Sequence, residues 1–183
     1  MAEPFEDALD ACNTGDYATA LRSWRPLAEQ GHAYAQYMLG VMYERGEGAP
    51  RDYAEAVKWY RLAAEQDYAK AQSDLGFMYD IGRGVPQDDV EAVKWYRLAA
   101  QQGLAGAQAS LGGMYSQGQG VPRDDVLSYM WLNLAASRFP PGKDRDKAVE
   151  GRDAVAERMT PAQITEAEKL AREWWKPLKA VTT

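Results

Sequence analysis

The sequence predicts an all-α fold, an α-solenoid of antiparallel helix pairs, and three observations carry that expectation. A 36-residue period runs through the middle of the chain without a slip, every periodic segment has helical rather than alternating spacing, and each period holds a helix stop followed by a helix start. The period is read from Ala35, Ala71 and Ala107, and the same step links Leu39, Leu75 and Leu111; Gly40, Gly76 and Gly112; Tyr43, Tyr79 and Tyr115; and Pro50, Pro86 and Pro122. Residues 55–64 and 91–100 both read EAVKWYRLAA, so two copies share one helix outright.

Residues 4–31 form a degenerate first unit. Phe5, Ala8, Leu9 and Cys12 make one helical stripe, Asn13 to Asp16 a turn, and Tyr17, Ala20, Leu21, Trp24 and Leu27 a second stripe. Pro26 stands inside that second helix and is expected to kink it or shorten it, because proline lacks an N–H and its ring collides with the preceding turn. Cys12 reads as a small core residue, since no Lys, Arg or His lies within a turn of it to activate a thiolate. His32, just after Gly31, is expected to act as a surface cap at the next helix start.

Three full units follow at 32–67, 68–103 and 104–139. In the first, Ala35, Met38, Leu39, Met42 and Tyr43 sit at i, i+3, i+4, i+7 and i+8, the apolar face of a helix. The second keeps Ala71, Leu75, Met78 and Tyr79 on that face. Tyr53, Ala56, Val57, Tyr60, Ala63 and Ala64 mark the partner helix, with Glu55, Lys58 and Arg61 turned away. Between the helices lies Gly-x-Gly-x-Pro-x-Asp: glycine accepts the left-handed turn at a helix end, proline blocks continuation, and Asp52, Asp88 and Asp124 cap the next helix. Three departures from the repeat are Asp67 at the place of Gly31 and Gly103, Ala49 at the place of Val85 and Val121, and Gly113, which is expected to loosen its helix.

Residues 140–183 form a C-terminal cap. After Phe139-Pro140-Pro141-Gly142 breaks the pattern, Asp144 to Arg158 has helical spacing through Ala148, Val149 and Val155. Thr160-Pro161-Ala162-Gln163 is a capping box opening a last helix to about Trp175, stopped by Pro177. Ile164, Ala167, Ala171 and at least one of Trp174 and Trp175 are expected to shield the end of the array; the alternative is that the tryptophan pair is a dimer or partner surface. The whole chain, 1–183, is expected to be one repeat domain.

The loop and stripe residues, AxAQxxLGxxYxxGxGxPxD followed by AVKWYRLAAEQ, resemble the Sel1-like repeat, a relative of the tetratricopeptide repeat, and residues 4–31 resemble a tetratricopeptide unit. The resemblance implies a right-handed superhelix, bacterial relatives, and an inner face that receives partner peptides.

Composition narrows the function. With 46% hydrophobic residues the chain has ample core, and a net charge of -6 argues against nucleic acid as a partner. No apolar run approaches the about 20 residues of a membrane helix, so membrane insertion is not expected. The start, Met1 to Pro4, lacks a leader pattern; the chain as given reads as cytoplasmic, and a leader removed earlier would make it periplasmic or secreted. A single cysteine and a single histidine give no disulfide framework, metal set or catalytic triad, and no cofactor is expected. The Gly-x-Gly loops are not a dinucleotide fingerprint, because they follow helices and lack the third glycine.

Two functional signals remain. Glu44 and Asp80 are equivalent positions on neighbouring helices, a carboxylate pair that would suit a peptidoglycan or polysaccharide hydrolase if brought close enough. The stronger signal is a second stripe off the core face: Tyr34, Tyr37, Val41, Glu44 and Arg45 in the first unit, Lys70, Ser73, Phe77, Asp80 and Ile81 in the second, Gly106, Ala109, Gly113, Ser116 and Gln117 in the third. Unlike the core face, this stripe changes from copy to copy. The expected function is a non-enzymatic scaffold, a monomer, binding a protein or peptide segment in a concave groove through Tyr34, Tyr37, Val41, Glu44, Lys70, Ser73, Phe77 and Asp80. The other alternative is a purely structural or designed repeat without a partner. The competing account of the aromatics is that they pack on the adjoining helix or on the N-terminal unit.

Overall fold

The helical spacing becomes ten α-helices in the computed structural model, which describes residues 4–175; among these residues there is no strand. The helices are α1 (Pro4–Thr14), α2 (Tyr17–Glu29), α3 (Ala33–Arg45), α4 (Tyr53–Ala64), α5 (Ala69–Ile81), α6 (Asp89–Gln101), α7 (Ala105–Gln117), α8 (Asp125–Arg138), α9 (Lys143–Ala156) and α10 (Pro161–Trp175). They form an α-solenoid of antiparallel helix pairs, divided into two compact units, Met1–Gln102 and Gly103–Thr183.

In the first unit each helix packs on the next, from α1 through α6. Its core is the repeated stripe: Leu39, Met42, Leu75 and Met78 are buried, together with the alanines between them. Gly40 shows why the repeat keeps glycine mid-helix. A Cβ there would overlap the Tyr60 ring, so the missing side chain lets α4 seat that ring against α3. Each loop then closes by the same bonds. Gly46 takes a left-handed φ of 74°, the Glu47 N–H reaches Met42 O at 2.9 Å, and Asp52 N–H reaches Tyr43 O at 2.9 Å. The Asp52 carboxylate accepts from Glu55 N at 3.0 Å and caps α4, and Asp88 does the same for α6.

Two local expectations, at Pro26 and His32, meet a different outcome. α2 is not shortened at Pro26 but runs on to Glu29, with Pro26 exposed in its last turn. His32 occupies the N-cap position of α3 without a side-chain cap bond, and its ring rests 5.3 Å from that of Phe5 instead. Asp67, in glycine's place, itself adopts the left-handed conformation, with φ 61°. Cys12 is half-buried and accepts a hydrogen bond from Trp24 Nε1 at 3.3 Å.

In the second unit α7 and α8 pair, and both α9 and α10 pack on α8. The capping box forms: Gln163 N–H donates to Thr160 Oγ1 at 3.3 Å and Thr160 N–H to Gln163 Oε1 at 2.9 Å. Ala167 and Ala171 are buried, Ile164 is half-buried, and the Trp174 ring lies 5.0 Å from that of Trp131 while remaining 40% exposed. The expected stop at Pro177 and the side chain of Trp175 lie outside the described residues.

Candidate functional site

The first unit holds a cavity of about 630 Å³, within the ~300–1,000 Å³ typical of ligand pockets. Helix α3 supplies Tyr37, Val41 and Glu44, α5 supplies Asp74 and Phe77, and α4 supplies Tyr53 and Tyr60. Arg45, Glu47, Arg51 and Arg83 complete the wall at the helix ends and loops. The loop carrying Arg83 reaches this wall because Gly84, at φ 74°, lies so close to the start of α4 that a Cβ would overlap the Tyr53 carbonyl.

Three carboxylates line this cavity, Glu44, Asp74 and Glu47, and the first two are each held by a tyrosine. The buried Tyr60 hydroxyl donates to Glu44 Oε2 at 2.6 Å, and burial, reinforced by that bond, raises the phenol's pKa. The Tyr37 hydroxyl bonds Asp74, and burial followed by the Asp74 charge raises its pKa too. Asp74 itself is pushed up to about 6, first by burial and then by the Glu44 charge; the Tyr37 bond, Arg45 and Lys70 oppose the rise.

The arginines are placed differently. Arg45 pairs with Glu47 at 3.8 Å. Arg51 and Arg83 both lie over the Tyr53 ring, their guanidinium carbons 5.4 and 4.9 Å from its centroid. Neither has an ion-pair partner among the described residues.

Of the residues singled out from the sequence, Tyr37, Val41, Glu44 and Phe77 line this one cavity, and Phe77 is 42% exposed. Tyr34 does not. Its ring is 5.4 Å from Phe5, 5.5 Å from Trp24 and 6.2 Å from Tyr68, so it belongs to an aromatic cluster that joins α1, α2 and α3. Lys70 is exposed on α5, Ser73 is half-buried, and neither lines the cavity. Asp80 accepts from the Tyr96 hydroxyl at 3.5 Å outside the cavity, where burial raises its pKa. The carboxylates that share the cavity with Glu44 are therefore Asp74 and Glu47, not Asp80. Asp74 left a trace in the sequence, since it is acidic where the preceding copy has Met38 on its apolar stripe. Arg51, Tyr53 and Arg83 belong to loops and a helix start, where no periodic pattern points at a site.

The second unit treats the corresponding positions otherwise. Ser116, at the place of Glu44, accepts from Arg158 at 2.7 Å. Arg158 also pairs with Asp125 at 2.9 Å, and Arg123 reaches the same carboxylate at 3.0 Å. The two guanidiniums hold the Asp125 carboxyl below its ordinary pKa, Arg158 contributing most. Among the described residues no cluster of His, Cys, Asp and Glu is arranged to hold a metal, and no helix is long and apolar enough to cross a membrane.

Comparison with known proteins extends this picture. The Sel1 repeat family model matches residues 33–68, 69–104 and 105–138. The solved structure of a Sel1 repeat protein from Oxalobacter formigenes is similar at 36% identity with a TM-score of 0.64, over 73% of this chain and 97% of that one. A protective antigen present in uropathogenic Escherichia coli strains, displaying an SLR fold, is similar at 29% identity with a TM-score of 0.63, over 85% of this chain. The chain spans only 40% of that antigen's length. No curated protein matches the chain in sequence.

Proposed function

Because the chain belongs to the Sel1 repeat family, whose repeats commonly serve as protein-interaction scaffolds, we propose that it is a non-enzymatic scaffold binding a peptide or protein segment in the cavity of the first unit. The observation that carries this reading is Phe77. It is a large aromatic left 42% exposed on the wall of a 630 Å³ cavity, beside Tyr37 and Val41, whereas the repeated tyrosines Tyr60 and Tyr96 are buried. Exposed aromatics at such a wall supply contact area at low entropic cost, which is the usual chemistry of an interface anchor. The test compares the parent chain with a Tyr37→Ser, Phe77→Ser variant in pull-downs, with thermal melting as the folding control. A partner recovered by the parent and lost by a folded variant supports the reading; the same partners recovered by both refute it.

One observation favours a second reading, acid–base hydrolysis of a polysaccharide. Asp74, pushed up to about 6, shares the cavity with Glu44, and a carboxyl with a raised pKa beside a second carboxyl is the pairing a general acid and its partner require. The tyrosine hydroxyls that hold both groups favour a fixed polar wall instead. Release of soluble fragments from peptidoglycan by the parent chain and not by Asp74→Asn would establish hydrolysis. Equal, background-level release from both would remove it.

A further inference from the structure

The two units solve one electrostatic problem in two ways. In the second unit, Arg123 and Arg158 converge on the first residue of α8, Asp125, and its carboxylate takes both guanidiniums at 3.0 and 2.9 Å. In the first unit, Arg51 is the repeat equivalent of Arg123, and Tyr53, the first residue of α4, is the equivalent of Asp125. Arg51 and Arg83 converge on Tyr53 as the other two converge on Asp125, but a phenol stands where the carboxylate would be. Its ring face attracts each guanidinium without neutralising either charge. Two like charges on one ring repel each other, and the Gly84 turn nonetheless fixes the Arg83 loop against α4. The planar forks of two arginines match the oxygens of a carboxylate, and the second unit shows within this same chain that the arrangement accepts one.

We propose that Arg51 and Arg83 bind the carboxylate of an aspartate or glutamate side chain in the partner segment, which would make the cavity of the first unit selective for acidic peptides. This rests on the peptide-binding reading above and names the chemistry of its partner. An acidic side chain is assigned, rather than a chain terminus, because the internal precedent is itself an aspartate side chain. Arg51 is also exposed at the rim, where a passing segment can present a side chain. Phe77 and Val41 on the same wall receive the apolar neighbours of that residue. The third rim arginine, Arg45, is already paired with Glu47 and adds no free charge to the site.

The test uses the full chain and a library of nonapeptides, acetylated and amidated at their ends, with aromatic or aliphatic flanks and Glu, Gln or Lys at the centre. A matched set carries central Gln and a free C-terminal carboxylate. The parent should bind Glu peptides about tenfold or more tighter than their Gln counterparts, the size of a charge-assisted pair lost. An Arg51→Ala, Arg83→Ala variant should lose that preference, binding Glu and Gln peptides with the same affinity as each other, while melting as the parent does. Arg83→Glu should shift the preference toward Lys. Equal binding of Glu and Gln peptides, with both weakened by Phe77→Ser, overturns the acidic assignment and leaves the groove reading intact. A preference for the free C-terminal carboxylate over central Glu overturns the side-chain assignment. A Glu preference that survives the double substitution overturns the arginine assignment, and a library with no binder overturns both readings.

Discussion

The Tyr60 hydroxyl donates to the Glu44 carboxylate across 2.6 Å, joining the middle of α4 to the last turn of α3 beneath the cavity of the first unit. The ring of Tyr60 is fully buried, seated against Gly40, so the bond ties a core residue to a residue of the cavity wall. Asp80 and Tyr96 repeat the link one copy later at 3.5 Å, which marks it as part of the hairpin.

Replacing Tyr60 by Phe keeps the ring and removes the donor. Glu44, half-buried, then lacks its hydroxyl partner, and the expected cost is about 1–3 kcal/mol of stability in urea unfolding. A loss below about 0.3 kcal/mol would show that water replaces the hydroxyl without penalty.

Asp74 makes stability depend on pH in an unusual direction. Its carboxyl is raised from 3.8 to about 6 in the fold, so between those values the folded chain holds a proton that the unfolded chain has released. Its contribution is therefore fully present below about 4 and is lost as pH rises through about 6. The shift corresponds to roughly 3 kcal/mol as an upper figure. Asp74→Asn, whose amide oxygen can still accept from Tyr37, should melt higher than the parent at pH 7 and close to it at pH 4. Parallel curves across that range would contradict the assignment. The difference between the two proteins isolates Asp74 from Asp80, whose shift has the same direction, and from Asp125, whose shift is opposite.

Two glycines of the repeat should respond oppositely to alanine. Gly40→Ala forces a Cβ into the Tyr60 ring and should cost about 1–3 kcal/mol. Gly113, inside α7, has nothing closer than the Gln117 side chain at 4.0 Å, and alanine there should add about 1 kcal/mol by helix propensity. Thermal melting of both variants decides this, and effects of the same sign would show that the close approach of helices is not what fixes Gly40.

The contrast between these glycines shows which features the sequence makes legible. The period, the apolar stripe, the loop bonds and the capping aspartates are local or repeat at one step, so each copy testifies for the others. Pro26, His32 and Tyr34 are not repeated, and their surroundings come from helices distant in sequence. The aromatic cluster of Phe5, Trp24 and Tyr34 could not be read from any single helix. Part of the cavity wall was legible for the same reason. Tyr37, Val41, Glu44 and Phe77 are off the core stripe by angle alone, whereas Arg51 and Arg83 meet Tyr53 only because two loops fold onto one helix start.

Tyr34 and Phe77 should separate when each is changed to serine. Tyr34 packs against Phe5, Trp24 and Tyr68, and its loss should cost roughly 2 kcal/mol. Phe77, largely exposed, should stay within about 1 kcal/mol of the parent. Equal losses in chemical unfolding would place Phe77 in the core.

Site-specific photo-crosslinking tests the peptide-binding account most directly. A photoreactive phenylalanine analogue at position 77, on the cavity wall, is compared with the same group at Val90, which is 64% exposed on α6 and does not line the cavity. The account predicts a discrete crosslinked partner from position 77 and none from position 90. Crosslinking from position 90 alone, or the same products from both, would contradict it.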